Sequence, residues 1–447
     1  MIEGVAAAIL TNMRRRGLLA RMKKLLKPFT YQSTESVKEL HCEQTRLRDI
    51  AARVGTPAYV YSGNHVIGRY REIDRALRGC PHQVCFAVKA NSNLALLALL
   101  AKQGAGFDIV SGGELYRVIE AGGSPARTIF SGVGKTTEEM DYALASGVRM
   151  FNCESESELT LLDERARKAG RKALVGLRVN PHVDPRTHPY ISTGLRENKF
   201  GIPIREAEKL YQRAQSLRGI KLEGLSCHIG SQITHLSAFS QALTKVVELA
   251  NRLRAKGCPV RHLDAGGGVG VAYKSSDVSP SIAAYARTVL RCVRGSGLKL
   301  YVEPGRAIVA EAGVLLTRVL HIKAEGRKRF VIVDAAMNDL IRPSLYGAHH
   351  DIRPVLLAKD SAKQKQMVAD VVGPVCESGD FFARDREMPS LQAGDLLSID
   401  TAGAYSFVMS SNYNSRPRAV EVMVDGIEWR VVRKRESLRD LIRGERV

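Results

Sequence analysis

The stretch VCFAVKANSN, residues 84–93, places Lys89 directly after an apolar run and directly before a polar turn. A lysine at the end of a buried strand can extend its ammonium group to water while its stem packs on apolar neighbours. In a partly desolvated pocket the same amine has a depressed pKa and attacks aldehydes, as a Schiff-base lysine must. Further reactive side chains at similar positions favour the second interpretation, so we predict that Lys89 is a nucleophile with a depressed pKa.

Six other apolar, β-branched runs also end in reactive side chains or in glycines. In chain order these ends carry Asp108 with Ser111, Glu154, Arg178 with Asn180, His228 with Ser231, the run Gly266, Gly267 and Gly268, and Glu303 with Gly305 and Arg306. In a barrel of parallel strands, the side chains at the carboxyl ends converge on one pocket. We therefore expect these residues to share a site with Lys89.

Two of these ends have a recognisable chemistry. The glycine run in LDAGGGVG follows a predicted strand, where missing Cβ atoms let backbone N–H groups approach a phosphate, although a tight turn explains the run equally well. The run lacks the third glycine of the dinucleotide pattern, so a single phosphate fits better than a pyrophosphate. In VEPGRAI, Arg306 offers a planar fork for a carboxylate or a phosphate, and Glu303 is able to hold a protonated ring nitrogen.

Two further candidates are less specific. His228 in SCHIGSQI supplies an imidazole at a strand end, where a lone histidine is more often structural. Cys376 in GPVCESGD lies in a polar loop and is followed by Glu377. A thiol in such a loop is a candidate proton donor, and an inert loop thiol is the alternative.

From about residue 83 to 306, short apolar runs alternate with segments of helical period. We predict eight strands, at QVCFAVKA, GFDIVS, TIFSG, RMFNCES, ALVGLRVN, LEGLSCHIG, VRHLDAG and KLYVEPG. Helices such as TEEMDYALASG lie between them, and several end at a glycine. Eight strand–helix units in about 220 residues match a (β/α)8 barrel, and an open doubly wound sheet is the alternative.

After Arg306 the chain becomes strand-rich, which predicts a β-sandwich or β-barrel domain. The segment TPAYVYS, residues 56–62, is also strand-like, and we expect it to pair with this C-terminal sheet. The predicted fold class is therefore α/β plus all-β. We predict an extension at 1–27, an N-terminal part of the β domain at 28–61, the barrel at 62–306 and the C-terminal β domain at 307–447.

The formal charge of the 447-residue chain is +21, of which residues 1–30 contribute +6 and residues 430–447 contribute +4. No nucleic-acid-binding motif accompanies this charge, so we predict no nucleic-acid partner. No apolar run approaches the about 18 residues of a membrane span, so we predict no membrane partner. The eight cysteines have no metal-type spacing, which favours reduced thiols, no bound metal and a cytoplasmic location.

The segments FAVKANSN, GAGFDIVSGGEL, CHIGSQI, DAGGGVG and EPGR together resemble the motifs of the fold-type III, alanine-racemase-like pyridoxal-phosphate decarboxylases. This family includes ornithine, arginine and diaminopimelate decarboxylases, and the resemblance runs from about Phe29 to the C-terminus. Residues 178–202, the segment IRPSLYGAHH and the Cys376-Glu377 pair are similar to the diaminopimelate decarboxylase branch.

The resemblance implies a function and a set of roles. Pyridoxal 5'-phosphate would be held by Lys89, Asp108, His228, Ser231, Gly266, Gly267, Gly268, Glu303, Gly305, Arg306 and Tyr405. The substrate would be bound by Arg306, Arg342, Tyr346, Glu377 and Tyr405. The implied reaction is decarboxylation of meso-diaminopimelate to L-lysine, with Cys376 as proton donor, in a homodimer whose Cys376 loops each serve the other subunit. Ornithine, arginine or carboxynorspermidine as substrate, or a non-catalytic relative of the family, remain the alternatives.

Overall fold

The structure is a computed structural model that describes residues 27–34, 36–184, 199–326, 328–358 and 365–447. Of the predicted extension at 1–27, only Lys27 is described. Residues 185–198, which form the centre of the diaminopimelate-decarboxylase-like stretch 178–202, also lie outside the described residues.

The described chain begins with a small antiparallel sheet. Strands β1 (Phe29–Ser33), β2 (Val37–Cys42) and β3 (Thr45–Arg46) pair in sequence. Helix α1 (Leu47–Val54) then leads into strand β4 (Ala58–Ser62), which is buried along its whole length.

A barrel of eight parallel strands follows, with a short extra strand and helices around it. In chain order the elements are α2 (Gly63–Ala76), β5 (His82–Ala87), α3 (Leu94–Lys102), β6 (Gly106–Ile109), α4 (Gly112–Glu120), β7 (Thr128–Phe130), α5 (Thr137–Ser146), β8 (Met150–Cys153), α6 (Glu156–Lys168), β9 (Ala173–Asn180), β10 (Ile202–Pro203), α7 (Ile204–Arg213), β11 (Ile220–Ser226), α8 (Leu236–Ala255), β12 (His262–Asp264), α9 (Ile282–Val293), β13 (Lys299–Val302) and α10 (Arg306–Val309). No helix in the described part of the chain is long and apolar enough to cross a membrane.

The sheet closes on itself. Strand β5 pairs with β6 on one side and with β13 on the other, and β8 pairs with β9. Strand β9 pairs with β11, which pairs with β12, and β12 pairs with β13. The predicted (β/α)8 barrel is therefore confirmed, and the alternative of an open doubly wound sheet is wrong.

The local sequence explains where the barrel elements begin and end. Thr136 and Glu139 form a reciprocal capping box at the start of α5, and Gly147, with φ of 74°, ends this helix. Strands β6, β7 and β8 are buried throughout and mostly apolar, as expected for parallel strands covered on both faces. Because β5 ends at Ala87, Lys89 lies just beyond its strand in a 3₁₀ turn.

The remaining chain forms the β domain. Its elements are β14 (Gly313–Glu325), β15 (Lys328–Val333), α11 (Arg342–Tyr346), β16 (Ile352–Pro354), β17 (Leu356–Ala358), β18 (Gln366–Val372), β19 (Phe381–Pro389), β20 (Leu396–Ile399), β21 (Val420–Asp425), β22 (Glu428–Arg433) and α12 (Leu438–Leu441). Strand β4 pairs antiparallel with β14 and parallel with β21, so the expected pairing of TPAYVYS with the C-terminal sheet is confirmed.

The strand-like runs that predict this domain are GVLLTRVLHIKA, RFVIVDAA, QMVADVVGPV, GDLLSIDTAG, AVEVMVDG and EWRVVR, which overlap β14, β15, β18, β20, β21 and β22. The sequence pattern did not predict β16, β17 and β19. Strand β19 has the charged sequence FFARDREMP and pairs only with β18, at the edge of its sheet, within the described residues. Charged side chains are common on edge strands because they oppose pairing with another chain. The apolar pattern that predicts central strands is therefore absent from β19.

Strand β14 supplies a direct test of this packing. Leu315 is fully buried where β14 pairs with both β4 and β20, whereas Leu320 in the same strand is 37% exposed. We expect Leu315→Ala to lower the free energy of unfolding by about 2–5 kcal/mol, because it removes buried methyl groups and leaves a cavity. Leu320→Ala, the matched control, should change it by about 0.5 kcal/mol or less. Urea denaturation measures both; equal losses would contradict the described packing of β14.

Candidate active site

A cavity of about 480 Å³ opens at the carboxyl ends of the barrel strands. Among the residues predicted from the sequence, it is lined by Lys89, Arg178, His228, Ser231, Gly266, Glu303, Arg306, Arg342, Tyr346 and Tyr405. Gly268 and Gly305 line a smaller adjoining pocket, together with Lys89 and Glu303. Most of the strand ends predicted to share a site therefore contribute to it, and two residues of the β domain helix α11 join them. Five of the predicted residues line neither pocket: Asp108, Ser111, Glu154, Asn180 and Gly267.

Lys89 is paired with a buried acid. Its Nζ donates a hydrogen bond to Asp108 Oδ2 at 2.6 Å, and the Asp108 side chain is fully buried. Burial lowers the pKa of Lys89, but the negative charge of Asp108 and its hydrogen bond to Lys89 outweigh this effect and raise the pKa above its ordinary value. The predicted depressed pKa is therefore wrong, because Lys89 is an ammonium group held by a carboxylate.

Glu303 belongs to a buried polar network that sequence reasoning missed. Ser131 Oγ donates to Glu303 Oε1 at 3.2 Å, and Asn152 Nδ2 donates to Ser131 Oγ at 3.1 Å. Asn152 Nδ2 also donates to Asp264 Oδ2 at 2.8 Å, and the backbone N–H of Gly266 donates to Asp264 Oδ1 at 2.9 Å. Asp264 lies just before the glycine run at a strand end. That position in the sequence could have indicated that Asp264 belongs to the site.

Glu303 and Asp264, the two acids of this network, share one proton between them. Burial raises the pKa of Glu303 well above its ordinary value, and Asp108 and Asp264 raise it further. Burial also raises the pKa of Asp264, but two N–H donors stabilise the ionised form of this carboxyl. We therefore assign the proton of the pair to Glu303.

His228 is a neutral imidazole. Its Nδ1 accepts a hydrogen bond from the backbone N–H of Gly267 at 3.2 Å, which requires that Nδ1 carries no proton. Burial lowers the pKa of His228 well below its ordinary value, and the charges of Arg178 and Lys89 act in the same direction. The ring therefore presents an uncharged face to the cavity.

The glycine run is required by neighbouring backbone. A Cβ atom at Gly266 would lie 2.6 Å from the carbonyl oxygen of Cys227, one at Gly267 would lie 2.2 Å from that of Glu303, and one at Gly268 would lie 2.1 Å from that of Gly230. Gly266 and Gly268 also have positive φ values of 66° and 103°. The loops of Cys227, Gly230 and Glu303 can therefore approach this segment only if its residues are glycine. The sequence motif alone did not reveal this requirement.

Arg306 and Arg342 bring two guanidinium groups to the cavity. Arg306 Nη2 donates to Ser231 Oγ at 3.2 Å, and its guanidinium carbon lies 4.7 Å from the ring centre of Tyr405. Both guanidinium groups also contact Tyr273, which lines the cavity and was missed by sequence reasoning. Tyr273 lies in the loop that follows the glycine run. Its position shortly after that run was the only feature of the sequence that could have indicated a place in the cavity.

Other predicted residues have local partners. Ser111 caps helix α4 by accepting the N–H of Glu114 at 3.2 Å. Glu154 Oε1 accepts a hydrogen bond from Arg178 Nη1 at 2.7 Å, which forms a buried ion pair at the edge of the cavity. Asn180 Oδ1 accepts the backbone N–H of His182 at 2.9 Å.

Cys376 and Glu377 lie outside the cavity. Both are exposed, in the loop between β18 and β19, and neither lines the cavity of the described chain. The backbone N–H of Cys376 donates to Asn414 Oδ1 at 2.9 Å, which fixes the loop against the segment after β20. Their predicted roles in proton donation and substrate binding remain predictions.

The cavity residues fit a phosphate-bearing pyridine aldehyde. Buried polar atoms without a partner among the described residues include Asp108 Oδ1, Ser226 Oγ, Arg306 Nε and Arg342 Nε, so polar groups around this cavity remain to be satisfied. An amine, a protonated carboxyl, a neutral imidazole, and a serine hydroxyl beside a glycine run match an aldehyde, a ring nitrogen, a ring face and a phosphate. The described residues contain no cluster of His, Cys, Asp and Glu that could hold a metal ion.

Comparison with known proteins agrees with this chemistry. Residues 64–310 match the family model described as pyridoxal-dependent decarboxylase, pyridoxal binding domain. The chain is 54% identical to the diaminopimelate decarboxylase of Pseudomonas aeruginosa over 418 residues, which cover 93% of this chain and 98% of that protein.

Solved structures agree as well. Diaminopimelate decarboxylase from Helicobacter pylori, complexed with L-lysine, superposes with a TM-score of 0.85 at 42% identity and covers 89% of this chain and 98% of its own. The M. jannaschii enzyme, in co-complex with L-lysine, superposes with a TM-score of 0.88 at 35% identity and covers 95% of this chain and 99% of its own. This chain therefore belongs to the pyridoxal-dependent decarboxylases and, within them, to the diaminopimelate decarboxylase family.

Proposed function

We propose that this chain is a carboxy-lyase that converts meso-diaminopimelate to L-lysine and carbon dioxide, the last step of lysine biosynthesis, with pyridoxal 5'-phosphate as cofactor. One observation carries the choice of substrate: the cavity that contains Lys89 also contains two buried guanidinium groups, those of Arg306 and Arg342, that form no ion pair with an acid of the described chain. Diaminopimelate keeps a second carboxylate after the first departs, whereas ornithine and arginine have none. A substrate without that carboxylate would leave Arg342 buried and unpaired, which is unfavourable.

The cofactor would be held by residues from several strand ends. Lys89 would bind its aldehyde, Glu303 its ring nitrogen and His228 its ring face. Its phosphate region would be bound by Ser231, Gly266, Gly267, Gly268, Gly305, Arg306 and Tyr405, and Asp108 would support Lys89. When bound, the cofactor supplies an electron-withdrawing ring that accepts the electron pair left by the departing carbon dioxide.

The chain's own residues would move the protons. Lys89 must lose a proton before its amine can attack, and Asp108 Oδ2, 2.6 Å away, is the acceptor beside it. Glu303 holds a proton that it can share with a ring nitrogen, and the Ser131–Asn152 hydrogen bonds keep its carboxyl oriented. His228 would contact the ring as a neutral imidazole, so it would add no positive charge there.

The substrate would meet residues from both domains. Arg306, Arg342, Tyr346 and Tyr405 would bind it within the cavity, with the two arginines on its distal carboxylate. Glu377 would bind its distal ammonium group. The thiol of Cys376 would donate the proton that replaces the lost carboxylate.

Carbon dioxide release tests the function directly. We expect the cofactor-loaded protein to release carbon dioxide from meso-diaminopimelate far faster than from ornithine, arginine or carboxynorspermidine. Lys89→Ala should lower kcat by more than about 10³-fold, because it removes the nucleophile that binds the cofactor. Lys102→Ala, which changes an exposed lysine, is the control. Turnover of ornithine or arginine without turnover of diaminopimelate would contradict the proposal.

We also propose a homodimer in which each Cys376 loop completes the cavity of the other subunit. The position of Cys376 and Glu377 on an exposed loop, away from their own cavity, supports this arrangement. In this proposal residues 62–306 bind the cofactor, and residues 28–61 and 307–447 form the β domain that carries the loop. All eight cysteines are free thiols, which supports a reducing compartment and hence the cytoplasm.

Shared sites predict complementation between inactive variants. Lys89→Ala and Cys376→Ala should each lose most activity alone. After subunit exchange, an equal mixture should regain up to about a quarter of wild-type activity, because half of the dimers then contain one intact site. Activity of the mixture measures this, with each variant exchanged against itself as the control. A mixture no more active than its components would contradict a site shared between subunits.

A further inference from the structure

Tyr273 joins the guanidinium groups of Arg306 and Arg342 in the cavity. Its ring is buried, and its phenol oxygen accepts hydrogen bonds from Arg306 Nη1 and from Arg342 Nη1, the second at 2.6 Å. The guanidinium carbon of Arg342 lies 4.5 Å from the centre of the Tyr273 ring, and that of Arg306 lies 5.7 Å from it. One side chain therefore contacts both cations through its oxygen and through its ring.

The two cations need such a contact. Arg306 is 7% exposed and Arg342 is 5% exposed, and neither forms an ion pair with an acid of the described chain. Two buried like charges repel, and burial, with the charge of Arg306 acting in the same direction, lowers the pKa of Arg342 below its ordinary value. The aromatic faces of Tyr273 and Tyr405 and the phenol oxygen of Tyr273 offset part of this cost.

The pair is arranged to receive an anion. The Nε atoms of Arg306 and Arg342 are buried without a partner in the described part of the chain. Arg306 also donates a hydrogen bond to Ser231, at one end of the pair. At the other end, Arg342 Nη1 lies 3.4 Å from His350 Nε2. His350 is itself fixed, since its Nδ1 lies 2.7 Å from the backbone oxygen of Asp400. Tyr273 thus connects the predicted phosphate side of the cavity to its β-domain side.

We propose that Tyr273 is a positioning residue that holds Arg306 and Arg342 together as one binding site for the distal carboxylate, and so favours substrates with two carboxylates. This inference rests on the proposed function, in which both arginines bind that group. A purely structural tyrosine would need its ring against His350, whose centre lies 5.2 Å away, but would not need its hydroxyl to accept two cationic donors.

Tyr273→Phe separates these possibilities because it keeps the ring and removes only the hydroxyl. We expect the Kd for pimelate, a dicarboxylate without amino groups, to rise by about tenfold in the cofactor-loaded protein, as for loss of a hydrogen bond to a charged group. The KM for meso-diaminopimelate should rise by a similar factor while kcat changes less. Titration followed by the absorbance of the bound cofactor measures the Kd, and the same spectrum reports cofactor loading.

Tyr211→Phe is the matched control. It also removes one buried phenol, which donates to the backbone oxygen of Leu222 at 3.1 Å outside the cavity. This variant should lose similar thermal stability but bind pimelate as the wild type does. A double-mutant cycle with Arg342→Gln gives a second test, because Tyr273→Phe should cause a smaller loss of pimelate affinity once Arg342 is absent than it does in the wild type.

The outcomes are distinct. Unchanged pimelate affinity in Tyr273→Phe, or additive losses in the double-mutant cycle, would overturn the role of Tyr273 while leaving the proposed function intact. If the wild-type protein does not turn over meso-diaminopimelate and does not bind pimelate, both the proposed function and this inference are overturned. A selective loss of pimelate affinity in Tyr273→Phe, with normal cofactor loading, would support both.

Discussion

The carboxylate of Asp108 is fully buried at the carboxyl end of β6, and Lys89 Nζ lies 2.6 Å from it. Two more acids, Asp264 and Glu303, are buried nearby at the ends of β12 and β13. Three ionised carboxylates around one ammonium group would repel each other, and burial together with the neighbouring acids raises the pKa of Glu303, which favours its protonated form. The protonation states of Lys89 and Glu303 therefore depend on each other.

Closure of the barrel creates this arrangement. Lys89 and Glu303 are far apart in sequence, but β5 and β13 are adjacent strands because the sheet closes between them. The glycine run after β12 then allows the loops of Cys227, Gly230 and Glu303 to approach the same point. A side chain at any of these glycines would push apart the strand ends that position the acids and the imidazole.

Much of the barrel could be predicted from the sequence, because each of its strands is a short apolar run and several of its helices end at a glycine. The strand ends then indicated which residues meet, since the carboxyl ends of parallel strands share one side of the barrel. The sign of the Lys89 pKa shift could not be predicted, because it depends on the distance to Asp108 on the next strand. Tyr273 could not be predicted because it lies in an irregular loop, where no periodicity indicates the direction of a side chain. Strand β19 was missed because its charged residues hide the strand pattern.

The claim that Lys89 is the cofactor-binding amine is tested most directly by chemical trapping. The protein is loaded with pyridoxal 5'-phosphate and reduced with borohydride, which fixes a cofactor bound to an amine, and the labelled peptide is identified by mass spectrometry. We expect one phosphopyridoxyl group per chain, on Lys89 in the peptide that contains VCFAVKANSN. Labelling of another lysine, such as the buried Lys135, with Lys89 left unmodified would contradict the central claim.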